Sequence, residues 1–186
     1  MSPLCVYCGS SIGNRPEFAA AASELGLEMG RRKIDLVYGG GRAGMMGLVA
    51  DAVLERGGHV FGVITRQLVD METAHTGLRD LHVVETMHQR KMMMAERAGA
   101  FVAIPGGVGT LDEFFEIVAW AQLGIHAKPM GLLNTAGFFD HLLAMMDQMQ
   151  SAGFLRIRFR ERVCVADTPA ALLESMSAVR AGVTAV

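Results

Sequence analysis

Short apolar runs alternate with longer amphipathic stretches along the whole chain, the pattern of strands and helices taken in turn. Leu4 to Tyr7 reads as a first buried strand. Asn14 to Arg32 reads as a helix, with apolar positions at Phe18, Ala22, Leu25 and Met29 and with Pro16 tolerated in its first turn. Ile34 to Tyr38 is a second strand, followed by a helix that opens in the Gly39 to Gly47 stretch and runs to about Glu55. Gly57-Gly58 stops it, and His59 to Ile64 is a third strand. Thr65 to Arg79 shows no sustained periodicity and is long for a connection, which predicts a lid or a subunit-contact loop with Glu72 and His75 as its notable polar groups. Leu81 to Val84 is a fourth strand, and Met87 to about Ala98 a helix.

Ala100 to Ile104 is a further buried run, and a helix follows it from Phe114 through Leu123, ending at Gly124. Lys128 to Leu133 and Arg162 to Val165 read as strands, Phe138 to Gln150 as an amphipathic helix. Thr168 and Pro169 then start a last helix to about Val179. Strand and helix alternate with no repeat and no linker. The expected architecture is α/β: a single Rossmann-like doubly wound domain over residues 1–186, with a mostly parallel sheet flanked by helices.

Composition fits a buried parallel sheet. Of 186 residues, 51% are hydrophobic and 22 are glycine, as tight βα turns require. A formal net charge of -2 argues against a nucleic-acid-binding surface, so any phosphate site must be local. No apolar run reaches membrane-spanning length, and the first residues lack the basic leader of a secretory signal. Three cysteines, Cys5, Cys8 and Cys164, are too few and too odd in number for a disulfide framework. Cys5 and Cys8 have redox or half-zinc spacing but lie in an apparent strand, so buried apolar cysteines are expected, with no metal and no cofactor. A cytoplasmic protein is expected.

Candidate chemistry concentrates in Pro105-Gly106-Gly107-Val108-Gly109-Thr110-Leu111-Asp112-Glu113. Strand, glycine turn and helix aim free N–H groups and a helix dipole at an anion. Thr110 is placed to cap the helix and to offer its hydroxyl to a phosphate oxygen. Asp112 and Glu113 would repel a phosphate, so they serve another part of a substrate. The combination suggests a phosphorylated sugar or nucleotide with acid–base chemistry beside it.

Two further loops belong at the same sheet edge. Gly9-Ser10-Ser11 is the first βα turn, where Ser10 is a candidate ligand contact. Gly39-Gly40-Gly41-Arg42-Ala43-Gly44 loosely matches a dinucleotide fingerprint but lacks the acid that binds an adenosine ribose. An NAD-dependent oxidoreductase is therefore disfavoured, and Gly40 and Gly41 are read as part of a mononucleotide site. Arg90 and Lys91 stand near a helix start, where the dipole disfavours cations. A misfit of that kind marks function.

Taken together, the Gly39 to Gly47 stretch, Met87-His88-Gln89-Arg90-Lys91, the Pro105 to Glu113 stretch and Trp120-Ala121-Gln122-Leu123-Gly124-Ile125-His126 resemble the LONELY GUY (LOG) family. Its members are cytokinin-activating phosphoribohydrolases long labelled "possible lysine decarboxylases". The resemblance covers nearly the whole chain. It implies a Rossmann-like homodimer that hydrolyses the N-glycosidic bond of N6-modified adenosine 5'-monophosphates to free base and ribose 5-phosphate. It also implies that Arg90 and Glu113 are catalytic, and that Glu72, Lys91, Gly107, Val108, Gly109, Thr110, Leu111 and Asp112 contact the substrate. Ala119 departs from the family's usual threonine, and Ala74 to Arg79 from plant-like members. Both leave the preferred base open, adenine or an isoprenoid-modified adenine.

Glu113 would stabilise the oxocarbenium character of the breaking bond and orient or deprotonate the water. Arg90 would orient Glu113 or hydrogen-bond the nucleotide, and no residue stands out as the acid for the leaving base. Pyridoxal phosphate chemistry is disfavoured, because none of Lys33, Lys91 and Lys128 has a recognisable cofactor setting. The competing class is a non-catalytic nucleotide or cofactor carrier of the same fold, which would not need Arg90 together with Glu113.

Overall fold

The structure, a computed structural model, describes residues 2–71, 74–155 and 161–183. Its elements run β1 (Leu4–Tyr7), α1 (Pro16–Arg31), β2 (Leu36–Tyr38), α2 (Gly44–Glu55), β3 (Val60–Thr65), α3 (Arg66–Met71), β4 (Asp80–Val84) and α4 (Met87–Arg97). Then come β5 (Ala100–Ala103), α5 (Val108–Gln122), β6 (Met130–Leu133), a 3-10 turn (Thr135–Gly137), α6 (Asp140–Ser151), β7 (Val163–Ala166) and α7 (Pro169–Val183). The strands form one seven-stranded sheet in the order β4-β3-β2-β1-β5-β6-β7. Every pairing is parallel.

Alternation along the strands builds a core on each face. Leu4, Val6, Leu36 and Tyr38 turn to the side that holds Leu25 of α1, Val49 of α2 and Leu172 of α7. Cys5, Tyr7, Val37 and Phe101 turn to the other, against Met94 of α4, Phe114 of α5 and Met146 of α6. Buried on both faces, the central strands carry the continuous apolar runs of a parallel sheet. Strand order reverses after β4, because β5 returns to pair with β1 on the side opposite β2. The carboxyl ends of β1 and β5 thus flank the switch point where open α/β sheets bind ligands.

Three local expectations are corrected. The Thr65 to Arg79 segment, expected as an aperiodic lid or subunit-contact loop, begins as helix α3, where the Thr65 hydroxyl accepts from the Leu68 N–H. Six residues are too short to display a helical period. Ile34 belongs to the close of α1, since its N–H bonds the Met29 carbonyl beyond Lys33 at φ 56°. Helix α5 starts at Val108 with Gly107 as its N-cap, so Thr110 lies within the first turn and does not cap it. Among the described residues no helix is long and apolar enough to cross a membrane.

Candidate active site

Arg90 owes its position to the start of α4. Thr86 and Gln89 form a capping box, with the Gln89 N–H donating to the Thr86 hydroxyl at 3.1 Å and the Thr86 N–H to Gln89 Oε1 at 3.2 Å. With that turn fixed, Arg90 points inward and its side chain is only 8% exposed. Nε donates to the Val63 carbonyl at 3.0 Å and Nη2 to the Gly39 carbonyl at 3.1 Å, at the carboxyl ends of β3 and β2. Nη1 donates to Glu113 Oε1 at 3.3 Å. The guanidinium thus spans two strand ends and holds the carboxylate of α5 from across the cleft. A buried ion pair persists only when its remaining donors are satisfied, as these two carbonyls do here.

Arg90 and Glu113 share a cavity of about 290 Å³ with Cys8, Gly9, Ser10, Met46, Gly107, Val108, Gly109 and Thr110. The first turn of α5 forms one wall, so its N–H groups and dipole face the carboxylate end of the same space. The Thr110 hydroxyl is buried and has no hydrogen-bond partner among the described residues. Beneath the site, Tyr7 is raised well above its ordinary pKa by burial, with the nearby charge of Glu113 acting the same way. Cys5 is pushed up chiefly by burial as well, so both remain neutral floor groups.

A larger neighbouring cavity, about 330 Å³, shares Gly9, Ser10 and Gly107 but is walled mainly by Ile12, Phe18, Met45 and Phe138. Among the described residues that line it, none has a titratable side chain.

The structure therefore brings Arg90, Glu113, Ser10, Gly107, Val108, Gly109 and Thr110 together. Lys91 instead turns to the flank, where Nζ donates to Asp112 and Glu116 at 3.2 Å each. Partial burial lowers the Lys91 pKa, but the two carboxylates outweigh it and the net shift is upward. Leu111 packs partly buried against the core on that side of the sheet. Gly40 and Gly41 are buried beneath the site, the first accepting from the His75 N–H and the second bridged to Ala74. Glu72 lies outside the described residues. Sequence reading passed over Cys8 and Met46 as wall residues; the turn position of one and the glycine flanks of the other were the available signals. Among the described residues no group of three or more His, Cys, Asp or Glu could hold a metal ion.

The family model described as "Possible lysine decarboxylase" matches residues 46–176. The chain is 48% identical over 174 residues, 94% of its length and 76% of the relative's, to a probable cytokinin riboside 5'-monophosphate phosphoribohydrolase of Oryza sativa subsp. japonica. It is 50% identical to a cytokinin riboside 5'-monophosphate phosphoribohydrolase of Arabidopsis thaliana, over 82% of this chain and 70% of that protein. Among solved structures, the Moco carrier protein of Chlamydomonas reinhardtii is similar with a TM-score of 0.71 and 22% identity, covering 98% of this chain and 99% of that one. At that identity the likeness is one of fold.

Proposed function

Since the chain belongs to the LONELY GUY family of cytokinin riboside 5'-monophosphate phosphoribohydrolases, we propose that it hydrolyses the N-glycosidic bond of an adenosine 5'-monophosphate, plain or N6-modified. Water adds across the C1'–N9 bond: the hydroxyl goes to C1', the bonding pair and a proton go to the base, and ribose 5-phosphate is released. The observation that carries this reading is the buried Arg90–Glu113 pair, which opens on the same cavity as the first turn of α5.

Each group has a task suited to its surroundings. The N–H groups of the α5 first turn and the Thr110 hydroxyl, which has no partner among the described residues, receive the 5'-phosphate. Glu113 is only 10% exposed and is paired with Arg90, a permanent cation. It stabilises positive charge growing on the ribose and takes the proton of the attacking water. Arg90 is already committed to two backbone carbonyls, so it orients the carboxylate more than it contacts the nucleotide. Lys91, tied to Asp112 and Glu116, secures α4 against α5 at the cavity's edge. We further propose that two copies associate through the α4 surface, where Met87 and Met92 are exposed.

Purified protein incubated with AMP and with isopentenyladenosine monophosphate is expected to release free base and ribose 5-phosphate, and Glu113→Gln to lose that release. The ratio of the two rates separates cytokinin activation from AMP turnover. Stoichiometric nucleotide binding with no product would replace the enzyme by a carrier.

A further inference from the structure

His75 has no place in the chemistry above, yet it is one of the few buried polar side chains, 5% exposed. Its Nε2 lies 2.9 Å from Oδ1 of Asp51 on α2, while Nδ1 is buried without a partner among the described residues. Its backbone N–H donates to the Gly40 carbonyl at 3.0 Å, and the preceding residue, Ala74, bridges antiparallel to Gly41. The ring thus fastens a strand-like segment to α2, and that segment fastens the loop that leaves β2.

That loop is the one that holds Arg90. Nη2 of Arg90 donates to the Gly39 carbonyl, and Gly40 takes the left-handed φ of +75° that turns the next peptide toward His75. Successive carbonyls of the loop are therefore gripped from opposite sides, Gly39 by the arginine and Gly40 by the histidine's own backbone. A Cβ at Gly39 would overlap the guanidinium, so a small shift of the loop moves Arg90. Arg90 in turn aims Glu113. A freed loop would leave both reacting-site groups present but displaced.

We propose that His75, locked by Asp51, is a positioning residue that holds the Gly39–Gly41 loop in the register that aims Arg90 at Glu113. The catalytic effect rests on the phosphoribohydrolase reading, whereas the placement of Arg90 does not. His75 is not among the residues that line either cavity, so its removal should act on turnover more than on binding.

The test compares His75→Ala, His75→Gln and Asp51→Asn in the full chain. Gln keeps an N–H donor at the place of Nε2. His75→Ala is expected to lower kcat for base release on the order of tenfold to a hundredfold, with KM changed by less than about threefold. His75→Gln should restore most of the loss, and Asp51→Asn should fall between. The Arg90 Nε–H signal in nitrogen-15 NMR, shielded from solvent exchange by its bond to Val63, should exchange faster in His75→Ala and recover in His75→Gln. A folded His75→Ala protein with wild-type kcat and an unchanged Arg90 signal would overturn the proposal. So would a loss of kcat that only follows the folded fraction and that Gln does not restore. If the wild-type protein releases no base from either nucleotide, the functional reading fails, and the Arg90 signal alone then decides whether His75 positions it.

Discussion

Two glycine loops leave the same sheet edge, one after β2 and one after β5, and they carry their glycines for different physical reasons. In the first, a Cβ at Gly39 would overlap the Arg90 guanidinium, and one at Gly44, where φ is +61°, would overlap the Ser10 carbonyl. In the second, a Cβ at Gly107 or Gly109 would meet nothing within 4 Å, and Gly107 has an ordinary φ of -92°. The protein itself requires the first pair. Among the described residues no contact requires the second, and the open room suits the ligand proposed above. Gly106 marks the change of regime: its Cβ would press on the Thr110 side chain and on the Gly9 N–H. In the reading proposed above, the first loop is scaffold for Arg90 and the second is surface for the nucleotide.

The largest expected effect lies where the two regimes meet. Glu113→Gln should reduce base release by at least about a hundredfold, read in a product assay under saturating nucleotide. It also leaves the buried guanidinium without its carboxylate, which costs about 3 kcal/mol in denaturant unfolding. Full activity in a stable Glu113→Gln protein would put the chemistry elsewhere. Next comes Gly39→Ala, where the added methyl must displace Arg90 or the loop. A drop in kcat of about tenfold or more, together with about 1–3 kcal/mol of lost stability, is expected. If Gly39→Ala is silent, the first loop is not gripping the arginine and the contrast between the loops collapses.

Much of this was legible in the sequence because the signals are local. Leu4–Tyr7 and the helix ending at Glu55 are where the apolar pattern places them, and the glycine turns fall at strand ends as their chemistry requires. Arg90 stands out in the sequence as a misfit, a cation at the wrong end of a helix, and the structure resolves the misfit by burying that cation against the Val63 and Gly39 carbonyls; its pairing with Glu113 is suggested only by the family resemblance. What could not be read is tertiary. Lys91 is adjacent to Arg90 in sequence, but one step along a helix rotates the side chain by about 100° and carries it from the cleft to the flank. Nor does a glycine announce which neighbour excludes its side chain; only the fold separates Gly40, buried against His75's backbone, from Gly109, open to the cavity.

The Thr110 hydroxyl sharpens the claim that the second loop faces a ligand. It is buried and has no partner among the described residues, so Thr110→Val should leave stability unchanged or slightly raised. If a phosphate oxygen is its partner, KM for the nucleotide should rise roughly tenfold, as expected for a hydrogen bond to a charged group. The increase should vanish for the unphosphorylated nucleoside. An equal increase for both would move the hydroxyl's partner from the phosphate to the ribose or base.

The smallest effect is the most discriminating. Gly109 lies inside the first turn of α5, has open space where a Cβ would go and has no left-handed φ. Alanine there costs no contact and reduces the freedom of the unfolded chain, a gain of about 0.4–1 kcal/mol. For a domain of this size that is a rise in Tm of about 1–4 °C. The same methyl occupies the surface over which the phosphate must approach the helix N–H groups, so KM for AMP should increase several-fold while kcat changes little. A glycine that weakens the fold and tightens the ligand is the signature of a binding loop. Were Gly109→Ala to stabilise the protein and bind AMP as tightly as before, the room at Gly109 would have no ligand to account for it, and the phosphate would have to be sought at the Gly9-Ser10 turn instead.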